Sequence, residues 1–155
     1  MSDRRFPKRP RLKNFDYQGT YAYFVTILTH NRYLHFKDAE VVEGLVNILV
    51  GTARLKKFRV FAYCFMPDHL HLLVAGEDNK SDLKKFISLF KQKSGYWFKQ
   101  CYKDNLWQTS YYDHVLRKEE NIEQIALYIL ENPVRKGLVS DFREYPFSFS
   151  SGLKP

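Results

Sequence analysis

Residues 61–74 read FAYCFMPDHLHLLV, and the apolar letters around the two histidines are typical of extended strands. Side chains alternate between the two faces of a strand, so His69 and His71 share one face while Leu70 and Leu72 take the other. Two imidazoles held on one strand can bind a divalent cation. The same pattern fits two ordinary polar residues on the solvent face of a half-buried strand. Spacing alone leaves both interpretations open.

The segments around this stretch predict an α+β fold in one domain, residues 1–155. Their order is strand, helix, strand, strand, helix, strand, helix, which is that of a ferredoxin-like antiparallel sheet with helices mainly on one face. The middle two strands would form a hairpin near the centre of the sheet, and the face away from the helices would be open to a ligand. The expected strands are 21–30, 58–65, 69–75 and 112–118, and the expected helices are 38–55, one capped by Ser81 that runs to 102, and one that begins at Glu119 or Asn121 and stops by Pro133. The tail, 141–155, is expected to be irregular.

The composition favours a polyanionic partner. The 155 residues carry 25 Lys and Arg against 17 Asp and Glu, a net charge of +8, and aromatic residues make up 17% of the chain. Nucleic acid is the leading candidate, because aromatic side chains also stack on unpaired bases. A general solubility charge explains the excess equally well. The sequence has neither an apolar run long enough to cross a bilayer nor an apolar signal segment at the N-terminus, so we expect no membrane partner and a cytoplasmic location.

Two basic features are candidates for binding phosphate groups. The first is an N-terminal arm, residues 1–13, in which two prolines favour an extended chain; a disordered solubilising tail is the alternative. The second is the lysine-bearing face of the helix expected up to residue 102, for which an ordinary solvated face is the alternative. The candidate DNA-binding residues of these features are Arg4, Arg5, Lys8, Arg9, Arg11, Lys84 and Lys91.

The last expected helix contains Tyr128 and Asn132, four residues apart and therefore on one face. Taken singly, Tyr128 fits a half-buried core tyrosine, and Asn132 fits a residue at the helix C-terminus. Taken with the histidine pair, they suggest a reaction centre. A tyrosine hydroxyl is a weak nucleophile at neutral pH, but a nearby cation supports the phenolate and polarises a phosphodiester. An amide oxygen is an acceptable further ligand for Mg²⁺ or Mn²⁺.

The segment Tyr111-Tyr112-Asp113-His114 is a rival constellation for acid–base chemistry. Asp113 and His114 are neighbours, so they would point to opposite faces of a strand. We therefore interpret this block as structural or DNA-contacting, with Tyr112 as a candidate to stack on a base. Asp68 could accept a hydrogen bond from a histidine ring or could shape the turn at the preceding proline.

Three blocks together resemble the HUH single-tyrosine transposase family, and most closely its REP-associated tyrosine transposase branch. They are MPDHLHLL at 66–73, LWQTSYYDHVLR at 106–117 and YILENPVRKGLV at 128–139, and the likeness extends over about residues 21–149. The resemblance implies that His69 and His71 match the metal pair, that Tyr128 matches the nucleophile and that Asn132 matches the third ligand. Many insertion-sequence relatives have glutamine at that last position.

The resemblance further implies a divalent-metal-dependent enzyme, using Mg²⁺ or Mn²⁺, that cleaves single-stranded DNA near a hairpin such as a REP-like palindrome. Cleavage would leave a 5′-phosphotyrosine and a free 3′-hydroxyl, and attack by that hydroxyl would rejoin the strand. The arm at 1–13 resembles the segment that helps to read a short guide sequence beside the hairpin. Some relatives are dimers, while the REP-associated branch looks monomeric, so a monomer and a homodimer both stay open.

Two other functions remain as alternatives. A domesticated protein that only binds DNA hairpins would use the same arm, lysines and aromatic residues. A metal-dependent phosphodiesterase that activates water would cleave DNA without becoming attached to it. A covalent protein–DNA adduct that depends on Tyr128 distinguishes the transposase-like enzyme from both.

Overall fold

The computed structural model describes residues 15–117 and 119–152, and the elements follow the predicted order. The basic arm, 1–13, and the end of the strand expected at 112–118 lie outside these residues. In the part of the chain that is described, no helix is long and apolar enough to cross a membrane. The strands are β1 (Ala22–Leu28), β2 (Phe58–Met66), β3 (His69–Gly76), β4 (Tyr112–Val115) and β5 (Ser148–Ser150), and the α-helices are α1 (Ala39–Lys56), α2 (Leu83–Tyr102), α3 (Ile122–Leu130) and α4 (Asn132–Arg135).

The strands form one antiparallel sheet in the order β4-β1-β3-β2-β5. β3 lies between β1 and β2, so the predicted hairpin of the middle two strands and the predicted central position of the histidines are both confirmed. The prediction of an irregular tail is wrong at Ser148–Ser150, which pairs with residues 62–64 of β2. Two hydrogen bonds hold the tail there: the Tyr145 hydroxyl donates to the carbonyl of Phe65 at 2.5 Å, and the Phe65 N–H donates to the carbonyl of Phe147 at 2.8 Å.

Helices cover both faces of the sheet. α1 and α2 pack on the larger core, which contains the apolar side chains of β1 and β3 at Val25, Ile27, Leu70, Leu72 and Val74. α3 packs on the other face, where its residues Ile125, Ala126 and Ile129 meet Phe24, Ala62 and Leu73. The expectation that this second face is open to a ligand is therefore wrong where α3 crosses it. The apolar stripe of α3 has to be buried, and the sheet offers the apolar surface that buries it.

Polar side chains cap the N-termini of α2 and α3, and one of the two caps was predicted correctly. Asn121 caps α3 and its side chain accepts from two backbone N–H groups of the first turn, so the second of the two predicted starts is right. Ser81 was expected to cap α2, but Asp82 does so, accepting from the N–H of Lys85 at 3.1 Å. The Ser81 hydroxyl instead donates to the carbonyl of Lys57 at 2.6 Å, which ties the β3–α2 turn to the start of β2.

Two glycines of α1 form a matched pair for testing the contact between α1 and α2. A Cβ at Gly44 would overlap the indole ring of Trp97, whereas a Cβ at Gly51 would meet nothing within 4 Å. We expect Gly44→Ala to lower the free energy of unfolding by about 1–3 kcal/mol through overpacking. We expect Gly51→Ala to raise it by about 0.5–1 kcal/mol through helix propensity. Urea denaturation measures both changes, and a stabilised Gly44→Ala protein would contradict the packing described.

Candidate active site

His69 and His71 lie side by side on the central strand. Leu70 and Leu72 point into the core beneath α1 and α2, which confirms the predicted alternation. The two imidazole rings lie on the α3 face, with their centroids 4.6 Å apart. His69 is only 8% exposed. Because β3 is paired on both sides, the backbone that carries the two rings is held firmly.

Asp68 anchors the ring of His69. One carboxylate oxygen lies 2.7 Å from Nδ1 of His69, and the other binds Nε and Nη2 of Arg32 at 3.0 and 2.9 Å. The hydrogen bond to His69 and the positive charge of Arg32 lower the pKa of Asp68 to about 2. The ionised carboxylate can only accept, so Nδ1 of His69 carries the proton and Nε2 is the nitrogen with which a neutral His69 would bind a metal. Asp68 also shapes the turn, since its carbonyl accepts from the N–H of Thr29 at 3.0 Å.

Thr26 anchors the ring of His71 in a similar way. It lies directly opposite His71 in the β1–β3 pairing, and its hydroxyl oxygen is 2.9 Å from Nδ1 of the ring. A hydroxyl can accept from Nδ1–H, and in that tautomer Nε2 is again the nitrogen with which the ring would bind a metal. Tyr112 lies opposite Thr26 on β4, so it belongs to the same face of the sheet as His71.

The two histidines fit part of a divalent-metal site. Ligating histidines usually have the second ring nitrogen held by a carboxylate, carbonyl or hydroxyl, and both rings meet that condition. Across residues 15–117 and 119–152, no group of three or more His, Cys, Asp and Glu side chains is placed to hold a metal ion. Additional ligands would therefore be oxygen atoms of another kind, such as a side-chain amide, a water molecule or a phosphate.

Tyr128 joins the same face of the sheet from α3. The ring of Phe24 packs edge-on against both Tyr128 and His71, with centroid distances of 6.2 and 5.3 Å. Tyr128 is 9% exposed, and its hydroxyl oxygen is buried. Tyr128 is therefore a packed core residue that lies beside the histidine strand, and its role as a nucleophile stays a prediction.

Arg135 is a contact of Tyr128 that the sequence did not reveal. Its guanidinium carbon lies 3.9 Å from the centroid of the Tyr128 ring, and Nη2 donates to the Tyr128 carbonyl at 2.8 Å. The positive guanidinium is attracted to the face of the aromatic ring, and the hydrogen bond to the Tyr128 carbonyl fixes the guanidinium in that position. Arg135 therefore holds both the ring and the backbone of Tyr128 in place.

Asn132 lies in the next helical segment. α3 ends at Leu130, and Asn132 is the first residue of α4. Pro133 explains the interruption, because proline has no N–H to donate to the preceding turn, whereas it is tolerated in the first turn of α4. Asn132 is 5% exposed. Its predicted role as a third metal ligand stays a prediction.

The predicted DNA-binding residues within the described part of the chain do not form one surface. Lys84 and Lys91 belong to α2, which packs on the sheet face opposite the two histidines. The ammonium group of Lys91 donates to the carbonyls of Gln108 at 2.9 Å and Ser110 at 2.7 Å, so it supports the loop before β4. Lys84 lies 5.1 Å from the centre of the Tyr17 ring. Tyr112 lies on the histidine face, and Arg4, Arg5, Lys8, Arg9 and Arg11 lie outside the described residues.

The rival segment at 111–114 divides between the two faces, as predicted. Asp113 is buried and lies opposite Val25, whose side chain belongs to the α1–α2 core. His114 lies opposite Phe24 on the α3 face, and its Nε2 is 3.0 Å from both carboxylate oxygens of Glu120. The two groups therefore do not act on one bound molecule together.

Sequence reasoning missed Thr26, Arg32 and Arg135. Strand pairing brings Thr26 to His71, and a turn brings Arg32 to Asp68; no local spacing signals either contact. Arg135 follows Tyr128 by seven residues, or two helical turns, and that spacing could have suggested a shared face.

The family described as Transposase IS200 like matches residues 17–132 of this chain, a span that contains both histidines, Tyr128 and Asn132. The chain belongs to the IS200-like transposase family. Metal dependence is general in this family.

Relatives of the chain include a REP-associated tyrosine transposase of Escherichia coli K12, which is 24% identical over 127 residues and covers 82% of this chain and 74% of the relative. A Haemophilus influenzae protein provisionally named as the same kind of transposase is 26% identical over 137 residues, covering 81% and 77%. The solved structure of a REP-associated tyrosine transposase bound to a REP hairpin superposes with a TM-score of 0.73 at 21% identity and covers 90% of this chain and 82% of that one. That superposition shows the fold.

The anchoring of His69 can be tested through metal affinity. Asp68→Asn removes the carboxylate charge that holds Nδ1, and loss of such a partner typically weakens metal binding by about 10–100-fold. Calorimetric titration with Mn²⁺ measures the change. Asp78→Asn is the matched control, because Asp78 is also paired with a basic side chain, Lys57, but follows the end of β3 that is opposite to His69. Equal Mn²⁺ affinity in both variants would contradict a metal bound through His69.

Proposed function

We propose that this chain nicks and rejoins single-stranded DNA at hairpin-flanked sites through a covalent 5′-phosphotyrosine on Tyr128. The observation that carries the proposal is the placement of Tyr128 on the same sheet face as His69 and His71, with Phe24 packed against both Tyr128 and His71. The anchored rings of His69 and His71 supply two nitrogen ligands for Mg²⁺ or Mn²⁺, with Asn132 as the proposed third ligand. Family membership and the basic net charge of +8 support a DNA substrate.

The proposed reaction is a transesterification at phosphorus. The Tyr128 hydroxyl oxygen forms the new O–P bond, the bond from phosphorus to the 3′-oxygen breaks, and the phenol proton ends on the released 3′-hydroxyl. A divalent cation would polarise the phosphodiester and favour the phenolate. The reverse attack rejoins the strand without an external energy source, because one phosphodiester replaces another. Since the Tyr128 hydroxyl is buried, DNA binding has to open this part of the α3 face before attack.

A DNA hairpin is the proposed partner. The relative whose solved structure superposes on this chain is bound to a REP hairpin. Here the arm at 1–13 and the half-buried Tyr112, which lies on the histidine face, are the proposed contacts. The arm would bind phosphates through its arginines and lysines, and the ring of Tyr112 would stack on an unpaired base.

Adduct formation tests the proposed nucleophile. The protein is incubated with single-stranded hairpins taken from the flanks of its own gene, with and without Mn²⁺, and the products are separated on a denaturing gel. We expect a slowly migrating covalent species that needs metal, and we expect Tyr128→Phe to reduce it at least roughly a thousandfold, as removal of a nucleophile does. Tyr112→Phe is the matched control, because it removes a hydroxyl on the same face but keeps the ring that would stack on a base.

The other outcomes each point to a different function. An undiminished adduct from Tyr128→Phe would refute the choice of nucleophile. Metal-dependent cleavage with no adduct would favour water as the nucleophile. Hairpin binding without cleavage would favour a non-catalytic DNA-hairpin-binding protein, the second candidate, which the burial of the Tyr128 hydroxyl favours.

A further inference from the structure

An open groove lies between α2 and the loop that leads to β4, away from the histidine face. Its volume is about 510 Å³, which is within the range of small-ligand sites. One wall is the C-terminal half of α2, including Tyr96 and Lys99, and the other is the loop at 105–109. Backbone contacts hold the loop against the end of β1: the N–H of Gln108 donates to the carbonyl of Leu28, and the N–H of His30 donates to that of Leu106, both at 2.9 Å.

The lining of the groove combines positive charge, side-chain amides and an exposed aromatic ring. None of the described residues that line it is acidic, and its charged or chargeable members are Lys91, Lys99 and His30. Lys91 is committed to the loop carbonyls, so Lys99, whose ammonium group lies 3.4 Å from the Asn105 side-chain oxygen across the groove, is the cation nearest to the exposed ring. Side-chain amides, which can read base edges, come from Gln92, Asn105 and Gln108. Tyr96 is 69% exposed, the largest exposed fraction among the large apolar side chains of residues 15–117 and 119–152. An exposed ring beside a lysine is a common combination for stacking a base and binding its phosphate.

Gly95 lines the groove and has no packing reason to be glycine. It lies in the interior of α2, where glycine costs about 0.5–1 kcal/mol relative to alanine. A Cβ at this position would meet nothing within 4 Å, unlike a Cβ at Gly44 or Gly76. The missing side chain therefore does not serve a neighbour in the fold. It leaves space in the groove next to the ring of Tyr96.

One rim of the groove lies close to the backbone of His69, although the walls of the groove belong to the other side of the sheet. Leu28 lies opposite His69 in the sheet, and His30, which lines the groove, is two residues further along the chain. At about 3.3 Å per residue, this places the rim of the groove within about 10 Å of the His69 backbone. A strand that leaves the proposed cleavage site around this end of the sheet reaches the groove within a few nucleotides.

We propose that this groove binds an unpaired nucleotide of the single-stranded DNA substrate, with its base stacked on Tyr96 above Gly95 and its phosphate beside Lys99. The inference rests on the proposed function for the identity of the polymer. It adds a second contact point for the strand, separate from the hairpin and from the reaction centre.

Filling the groove tests the proposal without damaging the fold. Gly95→Gln places a side chain over the floor of the groove and improves the helix propensity of α2. Gly51→Gln is the matched control, since Gly51 is also a helical glycine with open space above it, on α1. Tyr96→Ala removes the proposed stacking ring. Lys99→Ala removes the proposed phosphate contact, and Lys80→Ala is its control, because Lys80 carries the same charge but follows the end of β3 that lies away from the groove. The measurement is fluorescence anisotropy with a labelled oligothymidylate and with a blunt-ended DNA hairpin, in EDTA, so that no strand is cleaved.

We expect Gly95→Gln and Tyr96→Ala each to weaken oligothymidylate binding by about 5–100-fold, the range found for loss of one stacked base. Lys99→Ala should weaken it more than Lys80→Ala, and Gly51→Gln should bind as the wild type does. Blunt hairpin binding should be unchanged in all of them. Wild-type affinity for oligothymidylate in Gly95→Gln and Tyr96→Ala would overturn the groove as a site.

The two proposals fail in different ways. Absence of an adduct, with Gly95→Gln still selectively impaired in single-strand binding, would refute the phosphotyrosine chemistry and keep the groove. Adduct formation by the wild type, with unimpaired single-strand binding by Gly95→Gln, would support the phosphotyrosine chemistry and refute the groove. A wild-type protein that bound neither DNA would refute both.

Discussion

The antiparallel pairing of β1 with β3 is the constraint on which the site depends. Its register places Thr26 opposite His71 and Leu28 opposite His69, and it leads the chain from the end of β1 into the turn where Arg32 meets Asp68. A shift of one residue would turn both histidines into the apolar core and would bring leucines to the α3 face. The burial of those leucines beneath α1 and α2 therefore fixes the direction of the imidazoles as firmly as their own hydrogen bonds do.

α3 both completes this face and closes it. Its apolar stripe has to be buried, and burial brings Tyr128 against Phe24 next to His71. The same packing covers the tyrosine hydroxyl, and Arg135 lies across the ring. The packing that places Tyr128 beside His71 thus also limits the access of a substrate to its hydroxyl. Any reaction at Tyr128 therefore depends on how easily α3 and α4 give way, because the strands beneath them are paired along their length.

The parts of this architecture that depend on periodicity were predictable, and the parts that depend on tertiary contact were not. Alternation within 61–74 correctly placed His69 and His71 on one face, and the order of segments indicated the ferredoxin-like sheet with β3 at its centre. The strand at Ser148–Ser150 escaped prediction because it is three residues long and exists through pairing with β2. The anchor at Thr26 depends on strand register, which no short-range pattern encodes. Asp68 was recognised as a possible partner of a histidine because the two residues are adjacent in sequence.

The lengths of the strands have a consequence for the behaviour of the protein at high concentration. The interior strands β1, β3 and β2 have 7, 8 and 9 residues, whereas the edge strands β4 and β5 have only 4 and 3. An edge strand exposes unpaired backbone groups in proportion to its length, and long exposed edges nucleate aggregation. By adding Ser148–Ser150 along β2, the tail covers part of the edge of the longest strand, which is rich in aromatic residues. The short edges thus protect the strands that carry the site from association with other chains.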